Sequence, residues 1–321
     1  MSRKFDLVLT PEERKEIETK VKEITSRITQ WKRDDWMDEV AVASGSLPER
    51  IRRALRRFKR EETAPWIRLR NLPYEPGQIP PTPVEIPAKP QSKEVRAVEV
   101  IQCLLACLVG ELFGWSSHQG GSVITDILPQ KDKLSEASGS GSGIDFSLHT
   151  EDAFHPNAPE YLGLICLRNH GLVPTVVSTI LDVELNEHEK DILFEHRFIV
   201  GVNVAHDAPQ PSAPTSILFG DRKQPYFRFN ANRQSAVPGD QAAAEALKKL
   251  EASLCNAQIG IALESGDALF IDNYRVAHGR PRFKPRFDGT DRWLKRVFLT
   301  GSLRSSRGLR ASSLSRVILA S

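Results

Sequence analysis

The chain lacks the features that would place it in a membrane or on a secretion route. No run of 18 apolar residues exists, which excludes an ordinary transmembrane helix. The N-terminus has no signal-peptide apolar core. The cysteines show neither zinc spacing nor a CxxC motif; they are Cys103, Cys107, Cys166 and Cys255. We therefore predict reduced thiols, a cytoplasmic location and no membrane partner.

The chain also lacks a strong charge of one sign. The formal net charge is +3, which gives no reason to expect a polyanionic partner. The basic stretch Arg52–Arg60 makes nucleic-acid binding conceivable, but its apolar stripe, with Leu55 and Phe58, favours a solvated amphipathic helix. We predict no nucleic-acid partner. A length of 321 residues suits one large domain or two small ones. We predict a single domain over 1–321, as a monomer or homodimer.

Residues 1–64 are predicted to form a helical N-terminal segment. Thr10-Pro11-Glu12-Glu13 is a helix start, with a threonine cap, proline in the first turn and glutamate three residues after the cap. Ser46-Leu47-Pro48-Glu49 repeats this signal before a further helix. The elements that follow are a strand at Trp66–Arg70, a proline-rich connection at Pro73–Pro90 and an apolar helix at Glu94–Leu112.

Short strands separated by turns begin after residue 114, and two helices at Asn186–Phe194 and Asp240–Leu254 interrupt them. The predicted strands are Val123–Leu128, Tyr161–Leu167, Phe198–Val204, Ile217–Phe219, Tyr226–Phe229, Gly260–Leu263, Ala268–Ile271 and Leu294–Thr300. This order predicts an α+β, mainly β fold, a jelly roll (double-stranded β-helix) over 65–300 with flanking helices. Residues 301–321 have four arginines and no acid and are predicted to be a mobile tail.

Two histidines and one carboxylate are candidate metal ligands. If Leu148–Asp152 is extended, His149 and Glu151 point the same way while Thr150 faces away. A pair of this kind often arises by chance, so a third ligand is needed from a distant segment. His278 follows the predicted strand Ala268–Ile271. Two histidines and a carboxylate leave one face of an iron ion open for a co-substrate and oxygen.

Two arginines provide a second signal downstream of His278. Arg292, Leu294 and Arg296 alternate on a predicted strand, so both guanidinium groups would share one face. Arginines that point inward beside histidines are unfavourable unless they hold anions. Because a planar guanidinium holds a carboxylate with two hydrogen bonds, we predict two carboxylate ligands.

The segments around these residues resemble the clavaminate synthase-like family of Fe(II)/2-oxoglutarate oxygenases, within the taurine dioxygenase superfamily. The likeness extends from about Glu94 to Thr300, and the chain resembles clavaminate synthase and the arginine and asparagine 3-hydroxylases of the family. The matching segments are His149–Phe154, Tyr161–Leu164, Leu167–Asn169, Asp272–Arg280 and Phe287–Arg296. The resemblance also implies a lid insert near 205–240.

The resemblance implies how the cofactor and co-substrates would bind. His149, Glu151 and His278 would bind Fe(II), and 2-oxoglutarate and O2 would be co-substrates. Arg292 would pair with the distal carboxylate of 2-oxoglutarate, and the Thr175 hydroxyl would add a hydrogen bond.

The resemblance further implies how an amino-acid substrate would bind. Gln119 and Glu151 would contact the α-amino group, and Arg296 would hold the α-carboxylate. Family members that act on arginine have two aspartates where this chain has Asn230 and Asn232. A carboxamide brings no negative charge, so plain arginine is disfavoured and a neutral polar side chain is favoured. Aspartates elsewhere could still supply a charge; the candidates are Asp207, Asp221 and Asp240.

The predicted function is hydroxylation of an unactivated C3 or C4 carbon of a free amino acid or amino-acid derivative, in natural-product biosynthesis such as that of antibiotics. A desaturase or oxidative cyclase of the same family is the first alternative, because product outcome depends on fine placement of the substrate. A non-catalytic binding protein on this scaffold is a more distant alternative, against which the intact ligand set argues.

Overall fold

A computed structural model describes residues 5–28, 35–62, 64–86, 92–202, 206 and 213–319. The end of the predicted strand Phe198–Val204, the end of the connection Pro73–Pro90 and part of the predicted lid insert lie outside these residues. The helices are α1 (Pro11–Arg27), α2 (Asp35–Ser44), α3 (Glu49–Glu61), α4 (Lys93–Ala106), α5 (Glu187–Phe194) and α6 (Gln241–Asn256). The strands are β1 (Asp6–Val8), β2 (Trp66–Arg70), β3 (Glu111–Trp115), β4 (Ile124–Ile127), β5 (Phe146–His149), β6 (Tyr161–Arg168), β7 (Thr175–Thr179), β8 (Phe198–Val200), β9 (Leu218–Gly220), β10 (Pro225–Phe227), β11 (Gln234–Ala236), β12 (Ile259–Ile261), β13 (Ala268–Asp272), β14 (Val276–Arg280), β15 (Trp293–Thr300) and β16 (Val317–Ile318).

Two sheets form the centre of the molecule. The larger has the strand order β1-β2-β13-β6-β15-β3-β16, and β4 also pairs with β15. The smaller has the order β12-β7-β14-β5, and the pairs β9–β10 and β8–β11 form two further two-stranded sheets. This arrangement confirms the predicted α+β fold with a jelly-roll core and flanking helices.

Apolar side chains on the strands of the larger sheet point alternately to its two faces. Leu164 and Leu269 lie in one buried cluster with Val177 and Val276 of the smaller sheet. Ile165, the next residue of β6, instead belongs to a cluster that α1, α3 and α4 share. Because successive strand residues point to opposite faces, the larger sheet is covered by the smaller sheet on one side and by the N-terminal helices on the other.

The first helix starts as predicted, and the helix predicted after Ser46-Leu47-Pro48-Glu49 is also present, but Ser46 does not cap it. Thr10 accepts a hydrogen bond from the backbone N–H of Glu13, whose side chain accepts from Thr10 in return, so a capping box is present. At α3 the N-cap is Pro48, and no side chain caps the helix. Ser46 instead donates its hydroxyl proton to the Ala43 carbonyl at the end of α2.

The predicted helix Glu94–Leu112 is too long at its C-terminal end. Helix α4 ends at Ala106, and the apolar residues that follow enter β3, which pairs with β15. Gly110 explains the close approach, because a Cβ atom there would lie 2.7 Å from the Thr300 carbonyl oxygen. The apolar run continues across a change from helix to strand, which its composition does not reveal.

Both ends of the described chain join the larger sheet, contrary to expectation. Residues Asp6–Val8, predicted helical, form β1 and pair in parallel with β2. The tail, predicted to be mobile, adds β16 beside β3. Arg316 forms ion pairs with Asp38 at 2.7 Å and Glu111 at 3.3 Å, which fixes the tail to α2 and β3.

Candidate metal centre and substrate site

The smaller sheet brings the two candidate histidine ligands together. His149 is the last residue of β5, and His278 lies directly opposite it on β14. The predicted extended segment Leu148–Asp152 is only partly correct, because the strand ends at His149 and Glu151 lies in the following turn. Thr150 turns away, and its hydroxyl accepts a hydrogen bond from Phe229 N–H at 3.1 Å.

Ligand atoms of the three predicted residues converge on one point. The carboxylate Oε2 of Glu151 lies 3.8 Å from His149 Nε2 and 3.4 Å from His278 Nε2. All three ligand atoms lie within 4.8 Å of one another, and all three residues are buried. His149 Nε2 and Glu151 Oε2 are buried without a hydrogen-bond partner among the described residues. Buried polar atoms are seldom left unpaired, so this donor set fits a divalent metal ion.

The protonation of the site suits metal binding. Ser147 contacts His149 Nδ1 through its carbonyl oxygen at 2.9 Å, which places a proton there and leaves Nε2 with a free lone pair. Burial, reinforced by the charge of His278, lowers the pKa of His149 from 6.5 to about 4. Burial raises the pKa of Glu151, but Arg296 and the histidines outweigh it, so the net pKa lies well below 4.5.

Asn273 holds the backbone of Glu151, a role that the sequence analysis missed. Its Oδ1 accepts from Glu151 N–H at 2.7 Å, and its Nδ2 donates to the Glu151 carbonyl at 3.1 Å. The residue lies in the Asp272–Arg280 segment that matched the family pattern, so the motif contained the signal. Its partner, however, is 122 residues away in sequence.

Arg292 and Thr175 lie together, as predicted from the resemblance. Arg292 precedes β15 and donates from Nη2 to the hydroxyl of Thr175, the first residue of β7, at 3.1 Å. The guanidinium is buried, and its Nε has no hydrogen-bond partner among the described residues. Burial lowers the pKa of Arg292 from 12.5 to about 10, because removing the guanidinium from water disfavours its charged form.

Arg296 contacts the metal carboxylate directly. Its Nη1 donates to Glu151 Oε1 at 2.9 Å, and its Nη2 lies 3.5 Å from His118 Nδ1. The guanidinium also lies over the Phe298 ring, 4.3 Å from the centroid. The predicted role of holding a substrate carboxylate stays a prediction. For His118, next to Gln119, the sequence leaves open a place in the pocket lining or a structural role; the residue is buried, and its Nε2 has no partner among the described residues.

The side chain of Gln119 is less available to a substrate than predicted, because it is already hydrogen-bonded within the protein. Its carboxamide donates to the Asp126 carbonyl at 2.8 Å and accepts from the Asp126 N–H at 3.0 Å. Its backbone has φ 46°, and the following glycines have φ 67° and 81°. The loop is therefore tightly folded. A substrate amine could reach only the second lone pair of Gln119 Oε1.

Asn230 and Asn232 lie near the metal centre in different settings. Asn230 forms an isolated β-bridge with His149, and its Oδ1 accepts from Asn232 N–H at 3.2 Å. The Asn232 side chain is exposed and donates to Ser147 Oγ at 3.2 Å. The two carboxamides therefore do not form a matched pair comparable to two aligned carboxylates.

The fold and the ligand set together define a jelly-roll oxygenase, and known proteins support this class. The family model "Taurine catabolism dioxygenase TauD, TfdA family" matches residues 188–298. Enduracididine beta-hydroxylase from Streptomyces hygroscopicus is 34% identical over 92% of this chain and 94% of its own length. Clavaminate synthase 2 from Streptomyces clavuligerus is 30% identical over 82% of this chain and 83% of its own length.

Solved structures of two proteins are similar to this chain over nearly its whole length. The non-heme iron oxygenase OrfP in complex with Fe and alpha-ketoglutaric acid has a TM-score of 0.92 and 32% identity, covering 98% of this chain and 99% of OrfP. A further OrfP complex contains Fe, succinate and (3S)-hydroxy-L-Arg. Asparagine oxygenase in complex with Fe(II), 2S,3S-3-hydroxyasparagine and succinate has a TM-score of 0.90 and 28% identity, covering 99% of this chain and 100% of its own.

The chain belongs to the TauD/TfdA family, in its clavaminate synthase-like branch. The predicted enzyme class, a 2-oxoglutarate-dependent amino-acid hydroxylase, and the predicted iron and 2-oxoglutarate are confirmed. Among the described residues, no helix is long and apolar enough to cross a membrane.

Proposed function

We propose that the protein hydroxylates C3 of a free L-amino acid whose side chain ends in a neutral polar group. The single observation that carries the choice of side chain is the pair Asn230 and Asn232, which offers no negative charge. C3 is the position hydroxylated in the ligands of both similar structures, (3S)-hydroxy-L-Arg and 2S,3S-3-hydroxyasparagine.

The aspartates that could replace the missing charge are engaged elsewhere or lie outside the described residues. Asp240 caps α6 and forms an ion pair with Arg197. Asp221 is exposed and accepts from the N–H groups of Lys223 and Gln224 at 2.8 Å and 3.0 Å. Asp207 is outside the described part of the chain. A guanidinium or ammonium beside the two asparagines would therefore find no free counter-charge on the candidate aspartates of the described part of the chain.

The protein groups would act as follows. Arg292 and Thr175 would hold the distal carboxylate of 2-oxoglutarate, and Arg296 would hold the substrate α-carboxylate beside Glu151. Bound iron would couple the oxidative decarboxylation of 2-oxoglutarate to oxidation of the substrate carbon. Because Arg296 requires a free carboxylate, we also propose a free rather than a carrier-bound amino acid. A monomer or homodimer in the cytoplasm remains part of this proposal.

Matched pairs of amino acids test the substrate proposal. Citrulline and arginine have the same length but end in a neutral urea and a cation, and glutamine and lysine offer a second contrast. We expect amino-acid-stimulated succinate formation to be greater with the neutral member, with the new oxygen located at C3 by NMR. The double variant Asn230→Asp/Asn232→Asp should raise the arginine-to-citrulline ratio of kcat/KM about tenfold.

Two outcomes would reject this proposal or redirect it. Rapid turnover of free arginine by the unaltered enzyme would reject the proposal that the substrate has a neutral side chain. It would favour a cationic substrate, in line with the (3S)-hydroxy-L-Arg bound to OrfP. A product that has lost two hydrogens, without a gained oxygen, would favour the desaturase or cyclase alternative. Mass spectrometry of the same reactions distinguishes these products.

A further inference from the structure

His206 forms hydrogen bonds to two segments that are far apart in sequence. Its Nε2 lies 2.9 Å from Oδ1 of Asp152, which follows the metal-ligand candidate Glu151. Its Nδ1 lies 3.3 Å from the hydroxyl of Ser117, in the loop that carries Gln119. A single imidazole therefore connects the metal-ligand turn with the loop predicted to bind the substrate amine.

The imidazole is fully enclosed, and both of its nitrogens have partners. The His206 side chain is 1% exposed and that of Asp152 is 0% exposed. The ring packs against Trp115, His118 and Phe154, with centroid separations of 5.0, 4.9 and 5.2 Å. Because an ionised carboxylate can only accept, Nε2 donates to Asp152 and Nδ1 accepts from the Ser117 hydroxyl in the neutral ring.

Both connected segments have unfavourable backbone conformations. Asp152 has φ 49° and Gln119 has φ 46°, in the left-handed region that residues with a Cβ atom seldom adopt. Such conformations persist only where surrounding contacts determine them. The Asp152 carboxylate and the Ser117 hydroxyl are the points at which His206 holds these two turns.

We propose that His206 is a positioning residue for the substrate head group. By holding Asp152 and Ser117, it sets the distance between the Glu151–Arg296 side of the site and the Gln119 loop. The inference rests on the proposed function, which places the substrate carboxylate at Arg296, and on the prediction from the family resemblance that Gln119 contacts the substrate amine. From the sequence alone, His206 has no partner at metal-ligand spacing and is expected to be a surface residue or a satisfied core residue.

Two substitutions at His206 separate positioning from general stability. His206→Leu keeps the bulk but removes both hydrogen bonds, whereas His206→Gln retains a donor for Asp152 and an acceptor for Ser117. His170→Leu alters an exposed histidine and is the matched control. All three variants are studied as full-length enzyme with Fe(II) and 2-oxoglutarate.

We expect His206→Leu to raise the KM for the amino acid about tenfold and to lower the amount of hydroxylated product per succinate. The KM for 2-oxoglutarate and the absorption band of the anaerobic Fe(II)–2-oxoglutarate complex should not change, and His206→Gln should restore most of the coupling. The proposal is overturned if His206→Leu behaves like His170→Leu. It is also overturned if both His206 variants lose the absorption band, since that shows a role in overall stability.

Hydrogen–deuterium exchange tests the same inference without a substrate. In the substrate-free enzyme, His206→Leu should speed exchange in residues 115–121 and 150–155, and His206→Gln should not. Unchanged exchange in both segments would overturn the positioning role. Failure of every amino acid to stimulate turnover in the unaltered enzyme would reject the proposed function alone, and the exchange result would still decide the role of His206.

Discussion

Arg296 donates a hydrogen bond from Nη1 to Oε1 of Glu151 at 2.9 Å, while the other carboxylate oxygen points at the two histidines. The guanidinium assigned to the substrate carboxylate thus also orients the metal carboxylate. Such outer contacts fix the orientation of a metal ligand. Substrate binding and metal geometry should therefore be linked through Arg296.

Arg296→Lys tests this link. A lysine can keep one hydrogen bond to Glu151 but cannot offer the two-pronged fork to a carboxylate. We expect the Fe(II)–2-oxoglutarate absorption band to be retained and the KM for the amino acid to rise about 10- to 100-fold. The amino-acid methyl ester should be a poor substrate for the unaltered enzyme and nearly equal to the free acid for the variant. Unchanged discrimination against the ester would contradict the assignment of Arg296.

Arg292→Gln should impair 2-oxoglutarate binding selectively. Because the buried guanidinium has an unpartnered Nε and contacts Thr175, it suits the distal carboxylate of 2-oxoglutarate. We expect the KM for 2-oxoglutarate to rise about 100-fold in Arg292→Gln and about fivefold in Thr175→Val. Arg286→Gln, at an exposed arginine of the same loop, is the control. If Arg292→Gln raised only the KM for the amino acid, Arg292 would bind the amino acid and not 2-oxoglutarate.

Asp272 should make stability fall as pH rises. Burial raises the pKa of Asp272 from 3.8 to about 7, against the opposing effects of Arg275 and of the Tyr274 N–H. Between these values the unfolded chain releases a proton that the native protein retains, so stability is lost as pH increases through this range. Asp272→Asn removes this effect. We expect the difference in free energy of unfolding, Asp272→Asn minus the unaltered protein, to rise by about 2–4 kcal/mol from pH 4 to pH 8.

An exposed aspartate provides a control without this effect. Hydrogen bonds from Thr290 lower the pKa of Asp288, so its ionised form contributes stability that is present above pH 3.8 and lost as pH falls. Between pH 4 and pH 8, Asp288→Asn should therefore change little in stability relative to the unaltered protein. Urea unfolding at the two pH values measures both variants. A change in Asp272→Asn no larger than that in Asp288→Asn would contradict the account of Asp272.

Local patterns in the sequence predicted much of the site. The predicted alternation placed His149 and Glu151 on one side of an extended chain, and their ligand atoms do converge although the strand ends at His149. The alternation of Arg292 and Arg296 predicted two inward guanidinium groups, and both contact buried site residues. These features depend on residues close together in sequence, so periodicity was sufficient to find them.

Features that depend on distant partners were not predictable in the same way. Strand β14, which carries His278, is buried at all five positions and shows no alternation. The hydrogen bonds of Asn273 to Glu151 and of His206 to Asp152 join residues 122 and 54 positions apart. The two hydrogen bonds that engage Gln119 come from the backbone of Asp126, and no residue type in the sequence indicates them.

The central claim is that His149, Glu151 and His278 bind an iron ion and that 2-oxoglutarate binds to the same ion. Anaerobic addition of Fe(II) and 2-oxoglutarate, followed by visible absorption spectroscopy, tests it most directly. We predict a metal-to-ligand charge-transfer band in the unaltered protein and in the control His188→Ala, an exposed position on α5, and its loss in His149→Ala. The absence of the band from the unaltered protein, or its persistence in His149→Ala together with 2-oxoglutarate turnover, would contradict the account.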